Sequence, residues 1–95
     1  MEIGYSFLYH EAVVRDDIPT LDAPVRTRIK NAIEQKLTFR PELFSEPLRK
    51  SLRGYRKLRV GDYRVVLKIK SSHRTVYILI IKHRSVAYRD ILKRI

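Results

Sequence analysis

The sequence predicts an α+β fold: an N-terminal strand, two helices, then a three-stranded antiparallel meander, with the helices packed on one sheet face and a short C-terminal helix. Three observations carry this. Apolar residues alternate near the start and throughout the second half, they recur at helical spacing between positions 23 and 38, and a Gly61-Asp62 pair separates two alternating runs. At 95 residues and 44% hydrophobic, the chain is expected to form a single domain, residues 1–95, around one core.

Ile3, Tyr5 and Phe7 alternate with Gly4, Ser6 and Leu8, which predicts the first strand. Residues 9–18 relax into a short helix stopped by Pro19. Asp22 then reads as an N-cap, with Pro24 tolerated in the first turn of a helix over residues 23–38. In that helix Val25, Ile29, Ala32, Ile33 and Leu37 form one apolar stripe. Phe39-Arg40-Pro41 breaks it, and a loop running through Pro47 is expected to lay Leu43, Phe44 and Leu48 over a core edge. Residues 55–60 and 63–70 make the hairpin strands, with Tyr63, Val65, Leu67 and Ile69 facing the core and Arg64, Val66, Lys68 and Lys70 facing away from it. After a turn at residues 71–74, residues 75–82 form a nearly continuous apolar run, expected to be a central strand buried on both faces. Ile91, Leu92 and Ile95 suggest one or two helical turns from Tyr88 onward, and the residues after Tyr88 are expected to fray.

Charge is distributed unevenly. Residues 49–95 hold 15 of the 21 Lys and Arg and only two of the ten acids, Asp62 and Asp90, a net of +13, whereas the first 48 residues sum to −2. The total of +11 exceeds the roughly 2 to 8 that solubility asks of a small domain. A positive face of this density attracts a polyanion, most often nucleic acid.

The same composition excludes several chemistries. With no cysteine there is no disulfide, thiolate metal site or thiol nucleophile, which fits a reducing cytoplasm. Neither an export signal nor a membrane span is expected, since the longest apolar run, residues 76–81, is far short of the ~20 a bilayer needs. His10 and His73 lack partners at metal-ligand spacing, Asp62 belongs to a turn, and two acids are too few for a two-metal nuclease. No metal or other cofactor is expected.

The pattern Leu52-x-Gly54, then Arg59-Val60-Gly61-Asp62-Tyr63-Arg64-Val65, followed by His83-Arg84 and Tyr88, resembles the RelE/ParE toxin superfamily of toxin–antitoxin systems and covers most of the chain. The resemblance implies a toxin kept in check by a cognate acidic antitoxin. It implies either a metal-independent, ribosome-dependent endoribonuclease that cleaves messenger RNA by attack of a 2′-hydroxyl on its neighbouring phosphate, or an inhibitor of DNA gyrase of the ParE type. For the ribonuclease it implies four catalytic positions. Arg64 would clamp the scissile phosphate, Arg84 would stabilise or protonate the leaving 5′-oxygen, Lys57 would hold charge and lower the pKa of whatever group removes the 2′-proton, and Tyr88 would stack on a base or act as that group. Guanidinium groups suit the first two roles because they meet phosphate oxygens with two parallel donors. Tyr55 stands where the RelE-type pattern has a second lysine. A plain nucleic-acid-binding module is a third reading, in which Tyr55, Tyr63 and Tyr88 stack on bases. Arg56, Arg59, Lys68, Lys70, Lys82 and His83 complete the expected RNA-contacting set.

Overall fold

A computed structural model of the chain describes residues 2–95. Five strands form one sheet in the order β1-β5-β4-β3-β2. They are β1 (Ser6–Tyr9), β2 (Glu46–Pro47), β3 (Arg56–Val60), β4 (Tyr63–Lys70) and β5 (Thr75–His83). β3, β4 and β5 are the antiparallel meander read from the sequence, and β1 joins parallel to β5. β5 is therefore interior, as its apolar run requires, while β4 occupies the middle.

The long helix α1 (Ala23–Leu37) lays Ile29, Ile33 and Leu37 on Leu58, Val60, Val65, Leu67, Val76 and Ile78, which is the main core. Before it, residues 13–17 form a π-type turn closed by the Ile18 amide on the Val13 carbonyl, and Ile18–Thr20 continues it as a 3-10 turn. Asp22 occupies the N-cap position with extended backbone, but its side chain makes no capping bond; the backbone amide of Arg26 donates to its carbonyl instead. The expected loop is more ordered than its sequence suggests. Pro41–Phe44 is a single helical turn, α2, and β2 pairs with β3. Leu43 and Phe44 do not cover the core, Leu43 being 68% exposed, while Leu48 does pack inward.

The opposite sheet face is covered by α3 (Ala87–Arg94). Its Ile91 is fully buried against Leu52, Val66 and Ile80, with Leu48, Tyr55, Leu79 and Tyr88 around them. A shift of register at Val66/Leu67 allows this second cluster, because Leu67 pairs with Ile78 while Val66 pairs with Ile80, leaving Leu79 as the extra residue of β5. The residues after Tyr88 do not fray.

What fastens them is an ion pair between residues 77 positions apart. Asp17 accepts two hydrogen bonds from the Arg94 guanidinium, at 2.7 and 3.1 Å, and one from the Ile81 amide at 3.0 Å. Pairing of β1 with β5 ends at Ile78, so the Asp17 carboxylate and the Arg94 guanidinium, which also donates to the Leu79 carbonyl, serve the strand edge that β1 does not reach.

Candidate nucleic-acid-cleaving face

Strand register brings three cations into one row. Arg59 of β3 lies opposite Arg64 of β4, and Arg64 lies opposite Lys82 of β5, all on the sheet face that α3 partly covers. Like charges directly opposite each other on a sheet destabilise it. Only Lys82 is neutralised, by Asp90 at 2.9 Å; neither Arg59 nor Arg64 is within ion-pair distance of a carboxylate among the described residues. A row that opposes folding in this way gains its compensation when an anion binds.

Arg64 faces away from the main core, as alternation places it, yet it is only 6% exposed. Its Nη1 donates to the carbonyls of Gly61 at 3.0 Å and Tyr63 at 2.9 Å, which folds the guanidinium back over the β3–β4 turn. Gly61 has φ +59°, a conformation a side chain would strain, and so fixes the carbonyl that Arg64 needs. Arg84 converges on the same turn from β5. Its amide donates to the Asp62 carbonyl at 2.8 Å, while its side chain is 62% exposed and only loosely paired with Asp62 at 3.9 Å. One arginine is thus held by the turn and the other is exposed beside it.

Lys57 lies on the same face two residues along β3 from Arg59, about 7 Å away at strand rise. Its ammonium stands 5.8 Å from the centre of the Tyr88 ring, a cation–π contact that joins β3 to α3. The Tyr88 hydroxyl is buried without a hydrogen-bond partner among the described residues. In this position the ring supports Lys57, and a proton-accepting role for the hydroxyl requires α3 to shift.

The remaining expected contacts divide. Arg59 joins the row and is exposed. Lys68 is exposed on the same face, 5.5 Å from the Tyr55 ring centre. Lys70 lies six residues along β4 from Arg64, about 20 Å away, and is not part of the cluster. Arg56 is on the other face, where it donates to the Ser45 hydroxyl and to the Glu42 and Ser45 carbonyls and anchors α2. His83 packs edge-on against Tyr63, and its Nδ1 accepts from the Ser85 amide at 3.1 Å, a turn-forming arrangement.

Asp90 sits under this face as its one acid. The Lys82 ammonium hydrogen-bonded to it, and then Arg89, hold its carboxyl below the ordinary carboxylate value. A depressed carboxyl contributes stability that is complete above its unfolded value of about 3.9 and is lost as pH falls through the lower folded value. Asp90→Asn is therefore expected to melt below wild type at pH 7 and to approach it at strongly acid pH. Parallel melting curves that stay equally far apart would show that the pair is not the cause.

The fold and this face define a small basic domain in which a single sheet carries helices on both faces. The chain belongs to the family of ParE toxins of type II toxin–antitoxin systems, parDE, whose model matches residues 12–88, and it is a toxin of such a system. It is 33% identical to Toxin RelE of Mycobacterium tuberculosis (strain ATCC 25618 / H37Rv) over 84 residues, covering 85% of this chain and 87% of that one. Toxin RelG of the same organism is 40% identical over 53 residues, 56% of this chain and 61% of that one. Among solved structures, the toxin–antitoxin complex RelBE2 of M. tuberculosis superposes with a TM-score of 0.79 at 27% identity, over 90% of this chain and 97% of that one. The RelB–RelE antitoxin–toxin complex of Methanococcus jannaschii shares the fold, with a TM-score of 0.62 at 22% identity over 87% and 95% of the two chains.

Proposed function

We propose that this toxin is a metal-independent endoribonuclease that cuts messenger RNA on the ribosome and so stops translation. The observation that carries the reading is the uncompensated row Arg59–Arg64, with Lys57 and Arg84 at its margins. Attack of a 2′-hydroxyl on the adjacent phosphate places extra negative charge on the phosphate oxygens, and fixed donors aimed at that charge supply the largest part of catalysis. Arg64, restrained by the turn carbonyls, is the fixed clamp. Arg84, exposed beside it, follows the leaving 5′-oxygen. Lys57 holds charge near the 2′-oxygen, and Tyr88 sets the position of Lys57 and offers a ring to a base. The 33% identity to Toxin RelE favours the RelE-type reading over the ParE-type one.

The +13 half of the chain calls for an acidic antitoxin, in agreement with the toxin–antitoxin complexes to which the fold is similar. Such charge complementarity also speeds association. No helix among the described residues is long and apolar enough to cross a membrane, and the ribosome places the action in the cytoplasm.

A second reading, inhibition of DNA gyrase, is favoured by the match to the ParE model and by Tyr55 standing in place of a lysine. Mapping of messenger-RNA 5′ ends after induction, beside a supercoiling assay with purified gyrase, separates the two. New 5′ ends within translated messages are expected, with gyrase unaffected. Intact messages with blocked supercoiling would replace the first reading by the second.

A further inference from the structure

The turn between β2 and β3 carries a cluster of cations to which the reading above gives no role. Its ends are tied by the Leu48 amide donating to the Tyr55 carbonyl at 2.9 Å. Inside, the Leu52 and Arg53 amides donate to the carbonyls of Arg49 and Lys50, each at 3.1 Å, and Leu52 is buried beneath. Lys50 is held at φ +57°, in the left-handed region that L-residues other than Gly, Asn and Asp seldom enter. No side-chain hydrogen bond of Lys50 stabilises it there among the described residues. The surrounding bonds impose the conformation, and strain of this kind concentrates at ligand clamps.

The outcome is a recess of about 350 Å3 lined by Leu48, Arg49, Lys50 and Arg53. All three cations are exposed, none forms an ion pair among the described residues, and no acid lines the recess. Leu48 and Leu52 belong to the apolar cluster that also carries Tyr55 and Tyr88, so the recess adjoins the face bearing Lys57.

We propose that Arg49, Lys50 and Arg53 form a second phosphate-binding subsite, which holds the single strand of RNA flanking the bond to be cut. The proposal rests on the nucleic-acid reading of the neighbouring face. Three unpaired cations around one concavity suit a polyphosphate backbone rather than a single carboxylate. Tyr55, between the recess and Lys57, presents a ring on which an intervening base can stack.

Lys50→Gly separates the binding role from the structural one, because glycine accepts the left-handed conformation without penalty while the cation is lost. It is expected to melt no lower than wild type and yet to bind RNA more weakly. The probe is a short single-stranded RNA bearing 2′-O-methyl groups, which cannot be cut, titrated over a range of salt. For single strands each lost phosphate contact makes the log-affinity against log-salt slope shallower by about 0.7. Lys50→Gly should lose about that much and an Arg49→Gln/Arg53→Gln variant about twice it. The second variant leaves the backbone untouched and keeps the test decisive if Lys50→Gly folds poorly. Slopes equal to wild type in the Gln variant would overturn the proposal, as would unchanged RNA binding accompanied by loss of antitoxin binding. A wild type that cuts messages while these slopes stay unchanged would retain the ribonuclease and remove the subsite. Altered slopes in a toxin that cuts nothing would do the reverse.

Discussion

Arg64→Ala is expected to abolish cleavage and also to lower stability. Loss of a fixed donor to transition-state oxygens lowers rate by about 10² to 10³. Two opposing effects decide stability. Removing the charge relieves repulsion chiefly with Arg59, since Asp90 neutralises Lys82, and one such cross-strand pair is worth at most about 1 kcal/mol. Removing a nearly buried guanidinium also breaks its bonds to the Gly61 and Tyr63 carbonyls, at a cost of about 1.5–3 kcal/mol for charged donors. The second effect wins, and melting should fall by several degrees, at about 4–8 °C per kcal/mol in a domain of this size. Arg64→Lys keeps the repulsion and loses the forked geometry, so it should recover only a small part of the activity. Single-turnover cleavage on programmed ribosomes, with melting curves and a Lys70→Ala control, measures both. Wild-type cleavage by a folded Arg64→Ala protein would remove Arg64 from the reaction.

The largest expected loss of stability lies elsewhere, at Arg94. Its guanidinium is 12% exposed and its partner Asp17 is fully buried, so Arg94→Ala strands a carboxylate in the core. Breaking such a pair from one side costs about 3–5 kcal/mol, against a total of about 5–15 for a domain of ordinary stability. An Asp17→Asn/Arg94→Met protein should be more stable than the single mutant, because an amide oxygen still accepts from the Ile81 amide and no charge remains. Urea unfolding of the three proteins tests this. A loss below about 1 kcal/mol for Arg94→Ala, the scale of a surface ion pair, would mean that the contact is not held in solution.

The meander was legible because each strand announces itself locally. Alternation on either side of Gly61-Asp62 fixed the hairpin, and Ile29, Ile33 and Leu37 fixed the buried stripe of α1. What was missed depends on elements that meet late in the chain. Alternation places Arg64 on the polar face, but it cannot tell that the same face is shielded at Val66 and Ile80 by α3, or that the guanidinium turns back onto its own hairpin. Leu43 and Phe44 looked like core because they are apolar, yet a turn as short as Pro41–Phe44 has no second face to bury. The clustering of Arg59, Arg64 and Lys82 follows from register alone, whereas the separate duties of Arg56 and His83 depend on partners that no spacing reveals.

The bond between Asp17 and Arg94 spans 77 positions of sequence. Asp17 and the edge of β5 therefore depend on a residue far along the chain, and until the two meet the carboxylate lacks its guanidinium partner. Tyr88, which rides on α3, meets Lys57 only when that helix lies on the sheet. The face that bears Lys57 is thus completed by residues far apart in sequence, and its order depends on a helix whose own anchor lies near the start of the fold.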